Sequence, residues 1–288
     1  MKKYMDVVRH GKTFTQSTLE GNPQIVIQEK LDGANASFKR EGDRVICFSR
    51  NTHLDEHNTL RGFYNWVQEN VKAEDLVEDC IYFGEWLVKH KLSYGENENK
   101  FYLFDIYDEE TARYIPFGLV KGVAKDLNLN LVPVFYEGAF QSIEHIQSFV
   151  GKSMLGEVGE GVVVKNVNYE DKHGNQLFTK FVSDAFAEKA QIKKHTVKQP
   201  ADQLQEFVNS TVNKARVSKI IHKLVDEGIL EEDYAIEDMG TILKNTGTRV
   251  FDDVIKEELD ELLKVVKSKI GRMLPQIVKQ VLADEDRI

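Results

Sequence analysis

Short apolar runs broken by turn-forming residues fill the first two-thirds of the chain. Residues 23–30 (PQIVIQEK) and 34–40 (ANASFKR) are β-like and joined by Leu31-Asp32-Gly33, a turn signal. Glu41-Gly42-Asp43 turns the chain again into residues 44–49 (RVICFS), so these three runs read as a meander. Over residues 58–71, Leu60, Phe63, Tyr64, Val67 and Val71 recur at helical spacing. Residues 79–86 and 100–107 are apolar runs on either side of the polar stretch SYGENEN. The pattern then predicts a helix over 117–127, a strand over 129–140 and a helix over 142–150 capped by Ser142. Residues 159–166 and 176–183 complete the set as two strands, with the turn-prone His173-Gly174-Asn175 between them.

Beyond about residue 183 the periodicity changes. Helices are expected over 185–195, 201–227, 235–245 and 248–270, with a short last one over 273–283. Leu204, Val208, Val212, Ile220 and Leu224 mark one apolar face, Gly228 is a helix stop, and Pro275 starts or breaks the final segment. The boundary falls between about 187 and 200. The expected architecture is therefore α+β over residues 1–187, followed by a small all-helical domain over 188–288.

The length of 288 residues suits one large or two ordinary domains. With 38 Lys+Arg against 47 Asp+Glu, the formal charge is −9, which argues against a protein that coats nucleic acid indiscriminately but leaves room for a basic cleft. Cys47 and Cys80 are too few for a disulfide framework or a cysteine-rich zinc site, so a reducing compartment is expected. The start MKKYMDVVRHGK lacks an apolar signal core, and no run reaches the ~18 apolar residues of a membrane span. A soluble, cytoplasmic, monomeric protein with no membrane partner is the expectation.

The chemistry-bearing segment is Glu29-Lys30-Leu31-Asp32-Gly33-Ala34-Asn35, where a lysine at a strand end precedes a tight glycine turn. Alone it is an ordinary surface turn. Downstream, in order, stand Ser49-Arg50-Asn51, Phe83-Gly84-Glu85-Trp86, Phe101-Tyr102-Leu103-Phe104-Asp105, Glu160-Gly161-Val162-Val163-Val164-Lys165 and Lys180-Phe181. This ordered set resembles the nucleotidyltransferase motifs of the covalent ligase and mRNA-capping superfamily, over most of residues 24–183. The residue types suit such a transfer. A lysine nucleophile must be neutral, against a free pKa of ~10.4, and neighbouring Arg50, Lys165, Lys180 and a divalent metal are expected to depress it. The same cations would offset charge on the α-phosphate, carboxylates suit Mg²⁺, and an aromatic ring stacks on a purine.

Lys30-Leu-Asp-Gly-Ala-Asn35 followed by a helical tail is most similar to the RNA ligase 2 family of phages, kinetoplastid editing ligases and scattered bacteria; an OB-fold tail would need strands. The resemblance implies antiparallel, ATP-grasp-like sheets with helices, and an ATP-dependent RNA ligase joining 3′-OH and 5′-phosphate ends of a nicked, RNA-containing duplex through a lysyl-AMP. Lys30 would carry the AMP. Glu29 would lie near the adenine and Asn35 near the phosphates. Arg50 would contact the ribose or the nucleic-acid 5′-phosphate, Glu85 the ribose hydroxyls, and Lys165 and Lys180 the α-phosphate. Phe104 would stack on adenine in preference to Phe101, and Glu160 would hold Mg²⁺ or Mn²⁺. The family commonly has His where this chain has Asp32, and a second lysine where it has Phe178. A DNA-nick ligase and a nucleic-acid end-binding protein with a vestigial site therefore stay open as alternatives. His53-Leu-Asp55-Glu-His57 reads as a solvated loop. Lys189, Lys193, Lys194, His195 and Lys198 form a basic stretch that reads as an exposed helix face or a strip along a nucleic-acid backbone.

Overall fold

The protein's structure, a computed structural model, describes residues 2–285 except 12, 172, 184, 185 and 187–202. Two compact units divide them: one runs to Phe186 and includes His222–Tyr234, and the other holds the remaining helical residues.

The first unit is built on two sheets. Its strands are β1 (Val8–Arg9), β2 (Gln24–Lys30), β3 (Ala34–Glu41), β4 (Arg44–Ser49), β5 (Cys80–Trp86), β6 (Phe101–Asp108), β7 (Arg113–Tyr114), β8 (Asn130–Leu131), β9 (Val134–Ala139), β10 (Gly161–Lys165) and β11 (Thr179–Val182). One sheet has the order β1-β11-β10-β2-β9, and the other β4-β3-β5-β6-β7 with β8 beside β6. Pairing is antiparallel except at β1–β11 and β6–β8. The expected meander does not form. β3 pairs β4, but β2 pairs β9 and β10, so Leu31-Asp32-Gly33 carries the chain from one sheet to the other. The reason lies in what β2 finds on its flanks. Ile25 and Ile27 enter an apolar cluster with Val162 and Val164 of β10, whereas Ala34, Ala36 and Phe38 of β3 enter a different one with Tyr82, Trp86 and Phe101.

Short helices close the outer faces: α1 (Phe63–Asn70), α2 (Phe117–Asp126) and α3 (Ile143–Gln147). Helix α1 starts five residues later than its apolar spacing suggests, because Leu60, Arg61 and Gly62 all take positive φ. Phe63 and Val67 then pack beneath β3, β5 and β6. Ser142 caps α3 as expected, its hydroxyl accepting the His145 amide at 3.1 Å. Between the sheets, Tyr4, Phe83, Tyr114 and Phe178 form a buried aromatic cluster.

The described residues after 202 contain α4 (Gln203–Thr211), α5 (Lys214–Asp226) and α6 (Met239–Asp284), and no strand. One expected helix splits at residues 212–213 into α4 and α5, and three expected helices run together as α6. Gly247, Gly271 and Pro275 lie within α6 without ending it, and the only backbone departure there is at Glu258, with φ of −126°. Pro275 has no amide for the carbonyl four residues earlier, and in an exposed stretch that carbonyl is left to water. Within this unit Arg216 is fully enclosed, its guanidinium 3.3 Å from Glu258 and 3.6 Å from Asp253. No described helix is long and apolar enough to cross a membrane.

A Cβ on Gly84 would overlap the Phe101 ring and the Tyr102 carbonyl, whereas one on Gly118, in α2, meets nothing within 4 Å. Gly84→Ala is therefore expected to lower unfolding stability by about 1–3 kcal/mol. Gly118→Ala should leave it level or raise it by up to about 1 kcal/mol. Chemical denaturation of the two variants checks both signs.

Candidate active site

Lys30 is the last residue of β2, and its Cα lies opposite Gly161 on β10. Glu160 is the residue just before β10, so the same ladder brings the two side chains together: Nζ to Oε2 is 2.6 Å. Any Cβ at position 161 would run into the Phe181 carbonyl of β11. A glycine there lets three strands close up beside the lysine. The Lys30 side chain keeps 26% of its exposure and Glu160 keeps 15%, so the pair opens to solvent. Burial alone would push the Lys30 pKa down, but the Glu160, Glu85 and Asp32 carboxylates outweigh it and hold the amine above the ordinary lysine range. Carboxylates, and not the cations expected beside it, make up the surroundings of the amine in this structure. Arg50 is held by Asp6 at 2.5 Å and Lys165 by Asp105 at 2.7 Å, so each is already matched to an anion.

The turn after Lys30 is fixed from several sides. Asp32 Oδ2 accepts the amides of Lys91 and Leu92 at 2.8 and 2.9 Å, and its own amide donates to the Tyr94 hydroxyl at 2.9 Å. Gly33 has an ordinary φ. It is required instead by close approach, since a Cβ would stand 2.6 Å from the Trp86 carbonyl and 3.0 Å from Glu85 Cγ. The contact aims the Gly33 amide at Glu85 Oε1, 3.0 Å away. Glu85 faces Asn35 across the β3–β5 ladder. Burial pushes its carboxyl up to about 7, against the opposing pull of Lys30, His90 and the Gly33 amide.

Other expected site residues form a second cluster deeper between the sheets. Lys165 is 4% exposed, and its Nζ donates to Asp105 Oδ2 at 2.7 Å and to the Phe104 carbonyl at 2.8 Å. The Tyr4 hydroxyl meets the same Asp105 oxygen at 2.5 Å. The Lys165 amine also sits 5.5 Å above the rings of both Phe104 and Phe178. Phe178 therefore fills the place of a second lysine with a buried ring in the aromatic cluster. Phe104 is half-buried against Tyr4, with ring centroids 4.6 Å apart, while Phe101 is fully enclosed. Of these two rings only Phe104 offers surface. Lys180 is 9% exposed and pairs with Val163 across β10–β11, on the strand face that carries Gly161 and Lys165. Neighbours along a strand alternate faces, so Glu29 points away from Lys30. Its carboxylate takes the Ser153 hydroxyl at 2.5 Å and the Met154 amide at 2.9 Å.

Sequence reasoning gave no part to Asp105, Tyr4, Tyr94, Ser153 or His90. Asp105 had a signal: an ionisable residue inside an apolar strand needs a partner. The two tyrosines, the serine and the histidine had none, because their partners are distant in the chain. In the 53–57 loop, exposed Asp55 accepts the amides of His57 and Asn58, and no metal-binding cluster of three or more His, Cys, Asp or Glu side chains occurs among the described residues. The basic stretch containing Lys189, Lys193, Lys194, His195 and Lys198 lies outside the described residues.

The raised Glu85 pKa means that the folded protein binds a proton the unfolded chain has already lost between about pH 4.5 and 7. Its contribution to stability is present below that window and is lost as pH rises through it. Glu85→Gln keeps an acceptor for the Gly33 amide without the charge. It is expected to match the wild type in unfolding stability near pH 4.5 and to exceed it at pH 8, by urea titration at both pH values.

A model of the RNA ligase family matches residues 23–182, more than half of the chain. Two solved structures of Naegleria gruberi RNA ligase share the fold. An apo point variant aligns with a TM-score of 0.50 at 24% identity, over 65% of this chain and 56% of that one. A second variant, with ATP and Mn, gives 0.50 at 23% over the same shares. The chain thus spans a little over half the length of these relatives. No curated protein matches the sequence. With the Lys30 ladder, the turn after it and the Glu160 strand all inside the matched segment, the chain belongs to the RNA ligase family.

Proposed function

We propose that this protein is an ATP-dependent RNA ligase of the RNA ligase 2 type, in which Lys30 is the nucleophile. The observation that supports it best is the solvent-reaching Lys30 amine paired with Glu160 at 2.6 Å, in a member of the RNA ligase family. In the first step the amine, having given a proton to water, attacks the α-phosphorus of ATP. A P–N bond forms, the α–β phosphoanhydride breaks, and pyrophosphate leaves. The AMP then passes to a 5′-phosphate end, which restores the lysine, and a 3′-OH displaces AMP to seal the strand.

The neighbouring residues suit the parts of such a substrate. Glu85, with its carboxyl pushed up to about 7, suits the ribose hydroxyls, and half-buried Phe104 offers ring surface for the adenine; Glu29 would reach the adenine from the opposite strand face, through the Ser153–Met154 segment that holds its carboxylate. Asn35, Arg50, Lys165 and Lys180 are suited to phosphate oxygens, Lys165 and Arg50 by exchanging their present carboxylate partners for the ligand. The Glu160 carboxylate beside Lys30 is a hard oxygen donor that fits Mg²⁺ or Mn²⁺, and the Naegleria relative is recorded with ATP and Mn. A divalent cation there would neutralise the carboxylates that otherwise hold Lys30 as an ammonium.

A radiolabelled 5′-phosphate at a nick in duplex RNA, with the same nick in DNA alongside, tests the reading. The wild type should seal RNA in preference to DNA with ATP and Mg²⁺, and Lys30→Ala should seal neither. Phe104→Ala should raise the KM for ATP about fivefold, the value of one stacked ring. Glu160→Ala should lose sealing while melting as a folded protein. A DNA preference turns the assignment to a DNA-nick ligase, and full sealing by Lys30→Ala removes the nucleophile.

A further inference from the structure

His90 lies just beyond β5 in the chain and is 7% exposed. Its Nδ1 is 3.8 Å from Asp32 Oδ1 and its Nε2 is 3.4 Å from Asp226 Oδ1, at the end of α5. Its ring stacks on His222, one turn earlier on that helix, with centroids 4.8 Å apart and planes 23° from parallel. Both carboxylates are themselves largely buried, each 16% exposed. One imidazole therefore bridges the turn that follows Lys30 and a helix end nearly two hundred residues later. None of the roles proposed above uses it.

We infer that His90 is a positioning residue for Lys30: clamped between Asp32 and Asp226, its imidazolium fixes the turn after the lysine and ties that turn to the C-terminal end of α5. The inference rests on the proposed role of Lys30. Asp32 is two residues from the amine, and the same 90–94 segment grips it through the Lys91 and Leu92 amides and the Tyr94 hydroxyl. His90 adds the one charged link, and it is the only one of these contacts that reaches onward to a helix. Its enclosure rules out proton exchange with a substrate, so it acts through Asp32.

The charges around the ring decide its protonation. Burial opposes the charged form, but Asp226 and Asp32 outweigh burial and push the pKa up to about 9. His222, on the stacked face, is driven the other way by its own burial and by His90, with Lys91 acting in the same sense. Lys30 acts on Asp32, and His90 in turn acts on Glu85. The bridge is thus charged through neutral pH and is lost as pH rises through about 9.

The test is single-turnover transfer of AMP from ATP to the protein as a function of pH, in the wild type, Asp226→Asn and His90→Gln, with the imidazole titration of His90 followed by NMR. Asp226→Asn leaves Lys30, Asp32 and Glu160 untouched. It should lower the His90 pKa by about one unit and move the alkaline fall in rate down by the same amount. The maximal rate should drop about tenfold with little change in the KM for ATP. His90→Gln should be slow at every pH and lose the alkaline fall. A labelled wild type with both variants matching its rate and pH profile overturns the inference while leaving Lys30 as nucleophile. A folded, AMP-free wild type that takes no label overturns the nucleophile and the inference together, even with the His90 pKa shifted as expected.

Discussion

A partly exposed amine placed among carboxylates at a strand end is the constraint around which this site is arranged. Lys30 sits at the end of a strand with Glu160, Glu85 and Asp32 as its electrostatic surroundings, and the balance of burial and attraction leaves it an ammonium. The surrounding sequence reads as consequences of that placement. Gly161 lets β2, β10 and β11 come close enough to set Glu160 beside the amine, and Gly33 lets the following turn lie against β5 so that Glu85 is reached. Glu85 carries the electrostatic cost, with its carboxyl near 7. A site that is acidic in this way attracts a cation, and a negatively charged nucleotide enters it most readily accompanied by one.

The second cluster, Lys165–Asp105–Tyr4, follows a different logic. It is a fully buried ion pair with a phenol completing it, under the rings of Phe104 and Phe178. Removing either partner of such a pair strands a charge in apolar surroundings. Phe178 is part of that enclosure, which gives a physical reason for an aromatic residue at a position where the resemblance implies a second lysine. The two clusters share strand β10, with the first at its start and the second at its end.

Much of this was legible along the chain. Strands β2 to β6, β10 and β11 lie close to where the alternation of apolar residues puts them, the described residues after 202 are helical as expected, and Lys30, Glu85 and Glu160 stood out as candidate residues at or near strand ends. Connectivity was less legible. A three-residue turn between two β-like runs has the same composition whether it closes a hairpin or passes between sheets, and here the two flanking runs bury against different clusters. The electrostatics were misread for a related reason. Arg50 and Lys165 looked like cations available to Lys30, but Asp6 and Asp105 neutralise them across strands that sequence distance hides. In the helical region, Pro275 was expected to start or break the last segment, yet it lies inside α6.

The proposed chemistry turns on a bond between the amine of Lys30 and the α-phosphorus of ATP. The most direct measurement is incubation with Mg²⁺ and ATP or GTP labelled at the α-phosphate, followed by denaturation, proteolysis and identification of the labelled peptide. Label from ATP alone, on the peptide containing Lys30 and on no other, is the expected result. Label at another residue, label from GTP instead, or none from either nucleotide on a folded protein free of bound AMP would contradict it.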